Sequence, residues 1–194
     1  MTRATPAGVG GGPAGAATTR RTTTPFVMRG HPMTDLFLDC EWADVLAGEL
    51  VSIGLVSLDT SAVFYAERDP LPADPTPWVA AVVYPLLERG AYALTDGAMT
   101  RALREFLTAI KRPRLLFDCA TDRVLCQRVL DGHDLPRPGD LGAMPRALRW
   151  QQLHDTGPAL ERWWQWQAPA GPPRHHALND ARALRAAWLT LWGL

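Results

Sequence analysis

The sequence predicts an α/β fold built on a central mixed sheet of five strands flanked by helices. Three short apolar, β-rich runs come first, at Leu36–Leu38, Leu50–Leu58 and Ala62–Ala66. Helical patterns then alternate with further short runs. Strands joined directly form an antiparallel meander, whereas strands separated by a helix run parallel. At 194 residues, one domain with a sizeable core is expected.

Each element has its own warrant. Leu36-Phe37-Leu38 reads as a buried central strand. The β-branched run from Leu50 is separated from Ala62–Ala66 by Asp59-Thr60-Ser61, a turn sequence. Pro70, Pro72, Pro75 and Pro77 then exclude regular structure as far as Trp78. Val79, Val82, Val83 and Leu86 fit a short helix from Trp78. Asp96 is placed to cap a longer one carrying Met99, Leu103, Phe106, Leu107 and Ile110 on one face.

Leu115-Leu116-Phe117 forms the fourth strand, and Leu125, Val129 and Leu130 mark the helix behind it. The fifth strand falls within Arg146–Leu153. Leu160, Trp163 and Trp164 suggest a short helix, broken at Pro169-Ala170-Gly171-Pro172-Pro173. A last amphipathic helix carries Leu178, Ala181, Leu184, Trp188 and Leu191. The basic residues Arg101, Arg104, Lys111, Arg112 and Arg114 read most simply as a solvated helix face.

Composition removes several function classes. The formal net charge is +0, so a polybasic, histone-like role is excluded, whereas gripping a few nucleotides is not. No run approaches the ~18 apolar residues of a membrane span. Cys40, Cys119 and Cys126 are odd in number and show no zinc-ligand spacing, which favours reduced thiols and a cytoplasmic location. Cys40 and Cys119 sit in apolar runs and read as small buried thiols. Residues 1–32, rich in Gly, Ala, Thr and Pro, read as a disordered low-complexity leader ahead of a domain over 33–194.

The chemistry lies in three segments. Asp39 and Glu41 are two apart on a strand, so both point to one face while Cys40 points into the core. Carboxylates crowded there repel one another, and a divalent cation with a preference for hard oxygen ligands relieves the repulsion. Asp122 opens the helix after the fourth strand, and Asp180 lies about one turn into the last helix. His175 stands five residues before Asp180, able to reach over the same cleft. If the segments converge, Asp39, Glu41, Asp122 and Asp180 hold two Mg2+ ions, for which Mn2+ substitutes, in the clamp used for phosphoryl displacement. His175 then takes the proton of the attacking water.

Asp39-x-Glu41, Asp122 and His175-x-x-x-x-Asp180 resemble, in order and spacing, the three motifs of the DEDDh 3′–5′ exonucleases. A narrower similarity, to the bacterial exoribonuclease AS group, rests on Leu50–Val56, on Trp78-Val79 with Val83-x-Pro85-x-Leu87, and on His175-x-Ala177-Leu178-x-Asp180-Ala181-Arg182. The resemblance covers about Asp35 to Leu194. It implies a ribonuclease-H-like fold and a 3′–5′ exoribonuclease that releases nucleoside 5′-monophosphates from single-stranded RNA. The alternatives are a 3′–5′ DNA exonuclease of proofreading or repair type, acting on single-stranded DNA, and a nucleic-acid-binding module without turnover. Dimerisation is common in such relatives, and the Trp-rich C-terminal region offers an interface for a homodimer. Trp42, Arg123 and Arg182, next to the motifs, are the candidate substrate-binding residues, with Trp42 equally suited to closing the core. Asp118 is either a further site carboxylate or a solvated strand-end residue.

Overall fold

The computed structural model describes residues 33–133, 140–167 and 171–193; the leader assigned to residues 1–32 lies outside them. The elements are β1 (Thr34–Trp42), β2 (Leu50–Ser57), β3 (Val63–Arg68), α1 (Pro77–Val82), β4 (Ala93–Leu94), α2 (Asp96–Ala109), β5 (Pro113–Phe117), α3 (Ala120–Asp131), β6 (Arg149–Gln152), α4 (Gly157–Trp166) and α5 (Ala177–Trp192). They form one sheet in the order β4-β3-β2-β1-β5-β6. β1, β2 and β3 pair antiparallel, and β5 and β6 run parallel to β1. This is the mixed, ribonuclease-H-like arrangement that the pattern of runs predicts, with β1 at its centre.

Alternation along β1 assigns its two faces. Leu36, Leu38 and Cys40 face the cluster formed with Met99, Leu103 and Leu107 of α2 and Leu125 and Val129 of α3. Phe37 faces the opposite cluster with Val56, Leu116, Ala181 and Leu184, which seats α5 on the other side of the sheet. Glycine is required at one strand position. A Cβ on Gly54 of β2 would lie 2.5 Å from both the Ala177 carbonyl carbon and the Leu178 nitrogen, so only a bare backbone lets α5 approach this closely.

The structure departs from the sequence expectation in four places. A sixth strand, β4, is only two residues long and pairs parallel with the end of β3. So short a strand shows no alternation for a pattern to reveal. α2 is capped by the Thr95 hydroxyl, which accepts from the Ala98 N–H, and Asp96 instead supplies the acidic first turn. The basic stretch is not one solvated face: Arg114 forks onto Asp35 at 2.6 and 2.7 Å, and Arg104 donates to the Leu130 and Gly142 carbonyls. Cys119 is exposed, whereas Cys40 and Cys126 are buried. Among the described residues no helix is long and apolar enough to cross a membrane.

Candidate active site

β1 delivers Asp39 and Glu41 to the α5 side of the sheet, where the strand ends in an irregularity of register between Glu41 and Trp42. Asp122, in the first turn of α3, reaches the same strand from the side. Its Oδ1 accepts the Cys40 N–H at 3.2 Å, tying the helix start to the strand. Asp180, in the first turn of α5, approaches from above. The N–H of His175 donates to its Oδ2 at 2.7 Å. His175 itself has a φ of 69°, left-handed backbone that a histidine enters only at a cost.

These residues, together with Asp118, border one cavity of ≈ 640 Å³. Glu41, His175 and Asp180 each present a ligand atom within 4.8 Å of the others, a cluster able to hold a metal ion. Oδ2 of Asp39 and Oδ2 of Asp122 are sealed from solvent and accept no hydrogen bond from the described residues. Buried carboxylate oxygens without donors are costly unless a cation meets them. The donor set therefore fits divalent cations.

The electrostatics agree. Burial, and then the charges of Asp122, Asp180, Glu41 and Asp118, push the Asp39 carboxyl well above its ordinary value. Burial, Asp180 and Asp122 push Glu41 up to about 8. Asp122 also rises to about 8 through burial and Asp118, against the steadying Cys40 N–H. Asp180 rises to about 6, burial outweighing the His175 N–H that favours its anion. Burial and the Arg174 charge lower His175, which favours its neutral imidazole.

A pH dependence follows from these shifts. Between the ordinary carboxyl range and about 8 the metal-free folded protein binds more protons than the unfolded chain, so its stability falls as pH rises through that window. The midpoint of thermal unfolding without metal should drop between about pH 5 and about pH 8.5, and an added divalent cation should restore it at the upper value. A midpoint that rises across the window, or ignores added cation, would contradict this electrostatic picture.

The remaining sequence candidates are distributed differently. Trp42 packs against the α2–α3 core and also borders the cavity. Arg123 faces a neighbouring groove, its guanidinium 5.9 Å from the Trp150 ring centroid. Arg182 lies outside the residues bordering the cavity, 3.3 Å from the Asn179 Oδ1. Asp118 accepts from the Thr156 hydroxyl at 3.5 Å.

Motif spacing does not reveal an aromatic and ionic wall opposite the carboxylates. Trp78, half exposed, meets the His175 ring edge-on at 4.8 Å. Trp164 of α4 lies beneath Arg174, which pairs with Glu161 at 2.9 Å. Four helical residues, Gly157, Leu160, Glu161 and Trp164, border the cavity at i, i+3, i+4 and i+7 spacing. That periodicity is visible in the sequence but reads equally well as core packing.

No protein-family model matches the chain, and no curated protein matches it in sequence. Solved structures do match. Escherichia coli exonuclease I bound to single-stranded DNA, in its zinc-ion form, superposes with a TM-score of 0.59 at 14% identity over 80% of this chain and 39% of that one. The same enzyme with a dA16 oligonucleotide gives 0.55 at 13% identity, over 82% and 41%. The chain thus spans about two fifths of the length of these structures. At such identities the likeness establishes the shared fold.

Proposed function

We propose that residues 33–194 form a metal-dependent 3′–5′ exonuclease domain that shortens single-stranded nucleic acid and releases nucleoside 5′-monophosphates. The observation that carries this reading is the meeting of Asp39, Glu41, Asp122 and Asp180 beside His175 in one cavity of a ribonuclease-H-like sheet. The four carboxylates would hold two Mg2+ ions, with Mn2+ as a substitute. Bound there, the ions would supply positive charge to the reacting phosphate and acidify a water. His175, neutral at working pH, accepts that water's proton on its imidazole nitrogen. Trp42, Trp78 and Trp164, which border the cavity, would offer faces against which terminal bases stack, whereas Arg123, next to Asp122 in sequence but in the neighbouring groove over Trp150, would meet a phosphate only outside the cavity.

Single-stranded DNA is the substrate that the structural likeness favours, because the matching exonuclease I structures hold it. RNA is the second reading, favoured by the resemblance of the short segments Leu50–Val56 and His175–Arg182 to exoribonuclease motifs. Matched 5′-labelled DNA and RNA oligomers, incubated with Mg2+ or with chelator, test both. A ladder receding from the 3′ end only with metal is expected, and the faster ladder names the sugar. No shortening of either strand with Mg2+ or Mn2+ would overturn the proposal.

A further inference from the structure

We propose that Tyr65 and His176 form a positioning stack that fixes the first turn of α5, and with it the aim of His175 and Asp180 into the acidic cluster. Neither residue borders the cavity, so any influence must pass through the helix. The inference rests on the exonuclease reading for its kinetic consequence, though not for its structural one.

The His176 ring is buried and lies nearly flat on the Tyr65 ring, with centroids 4.4 Å apart and planes inclined by 23°. The His176 carbonyl accepts the N–H groups of Asn179 and Asp180 at 2.8 and 3.0 Å. It closes the first hydrogen-bonded turn of α5, so holding the ring holds the turn that carries Asp180. Tyr65 is itself held at its far end. Its hydroxyl donates at 2.8 Å to Oε1 of Glu67, a fully buried carboxylate that also takes the N–H groups of Glu88 and Arg89 at 2.6 and 2.9 Å. Glu88 in turn lies 3.4 Å from the His176 Nε2.

This network has a reason to exist at this point in the chain. The residue before the stack, His175, is in left-handed backbone, a conformation that persists only where its flanks are fixed. On one side the Asp180 carboxylate takes its N–H; on the other the stack holds His176. Releasing His176 lets the turn relax, moving the imidazole and the carboxylate together. A displacement of about 1 Å at reacting groups can lower turnover about 100-fold.

The test compares Tyr65→Leu, which removes the ring, with Tyr65→Phe, which keeps it, and with His176→Leu, which removes the stack from the helix side. Tyr65→Leu and His176→Leu should each lower kcat about 10- to 100-fold with KM for the oligonucleotide within about twofold, while Tyr65→Phe, which keeps the ring and loses only the tether to Glu67, should fall clearly less than Tyr65→Leu. Amide hydrogen exchange should quicken at residues 175–180 in both leucine variants and stay unchanged in β1 and β5. Unaltered exchange at residues 175–180 in a leucine variant, equal acceleration throughout the sheet, or Tyr65→Phe as impaired as Tyr65→Leu would overturn the inference. Should Tyr65→Leu fail to fold, His176→Leu decides. A wild-type chain that digests no oligonucleotide sinks the exonuclease reading, whereas the exchange comparison still decides the stack.

Discussion

Replacing Asp180 by asparagine should lower metal-dependent cleavage by roughly 1,000-fold or more, because a neutral amide cannot match a carboxylate as a cation ligand. The fold should survive. An asparagine oxygen can still accept the His175 N–H that the Asp180 Oδ2 now takes at 2.7 Å. Stability without metal should even increase at alkaline pH. Asp180 is the largest charged neighbour raising Glu41 and also raises Asp39, so its loss relieves repulsion inside the cluster. Unfolding midpoints at about pH 8.5, with and without Mn2+, give the stability arm, and oligonucleotide digestion gives the other. Near-normal turnover in Asp180→Asn would remove this residue from the proposed role.

Gly54→Ala should damage both stability and turnover from a position outside the cavity. The added methyl would meet the carbonyl carbon and oxygen of Ala177 and the nitrogen of Leu178 at 2.5–2.6 Å. These are backbone atoms, so no rotamer change can clear the clash. α5 must shift, at a cost of about 1–3 kcal/mol for forcing volume into a packed contact. That corresponds to an unfolding midpoint lower by several degrees, at about 2–4 °C per kcal/mol. Turnover should fall about 100-fold, since the displaced helix carries Asp180 and follows directly on His175. A variant with wild-type midpoint and wild-type turnover would show that α5 yields without consequence.

The parts of this molecule legible in its sequence are those set by local periodicity and by charge. Asp39 and Glu41 share a face because a strand alternates, and Asp180 sits one turn into α5 because helix spacing places it there. The antiparallel meander is legible for the same reason. What escaped depends on contacts distant in sequence. The two-residue β4 exists because the end of β3 offers it hydrogen bonds, and nothing within Ala93-Leu94 announces a strand. Arg114 leaves the solvated face because β5 lies beside β1, where Asp35 waits 79 positions away. Cys119 is exposed because the chain turns into α3 at that point, a bend that its apolar neighbours conceal. The walls of the cavity show the same division. Its carboxylate side is written in three motifs, whereas Trp78, Glu161, Trp164 and Arg174 are gathered there only by the packing of separate helices and loops.

The sheet's margins have a bearing on how the protein behaves in a crowded solution. A long flat border of unpaired amides invites a second molecule to add itself as another strand, the first step towards fibrils. Here the outermost strands are stubs, β4 with two residues and β6 with four, while the longest, β1, is shut in at the centre. The template most prone to polymerise is thus the one least reachable.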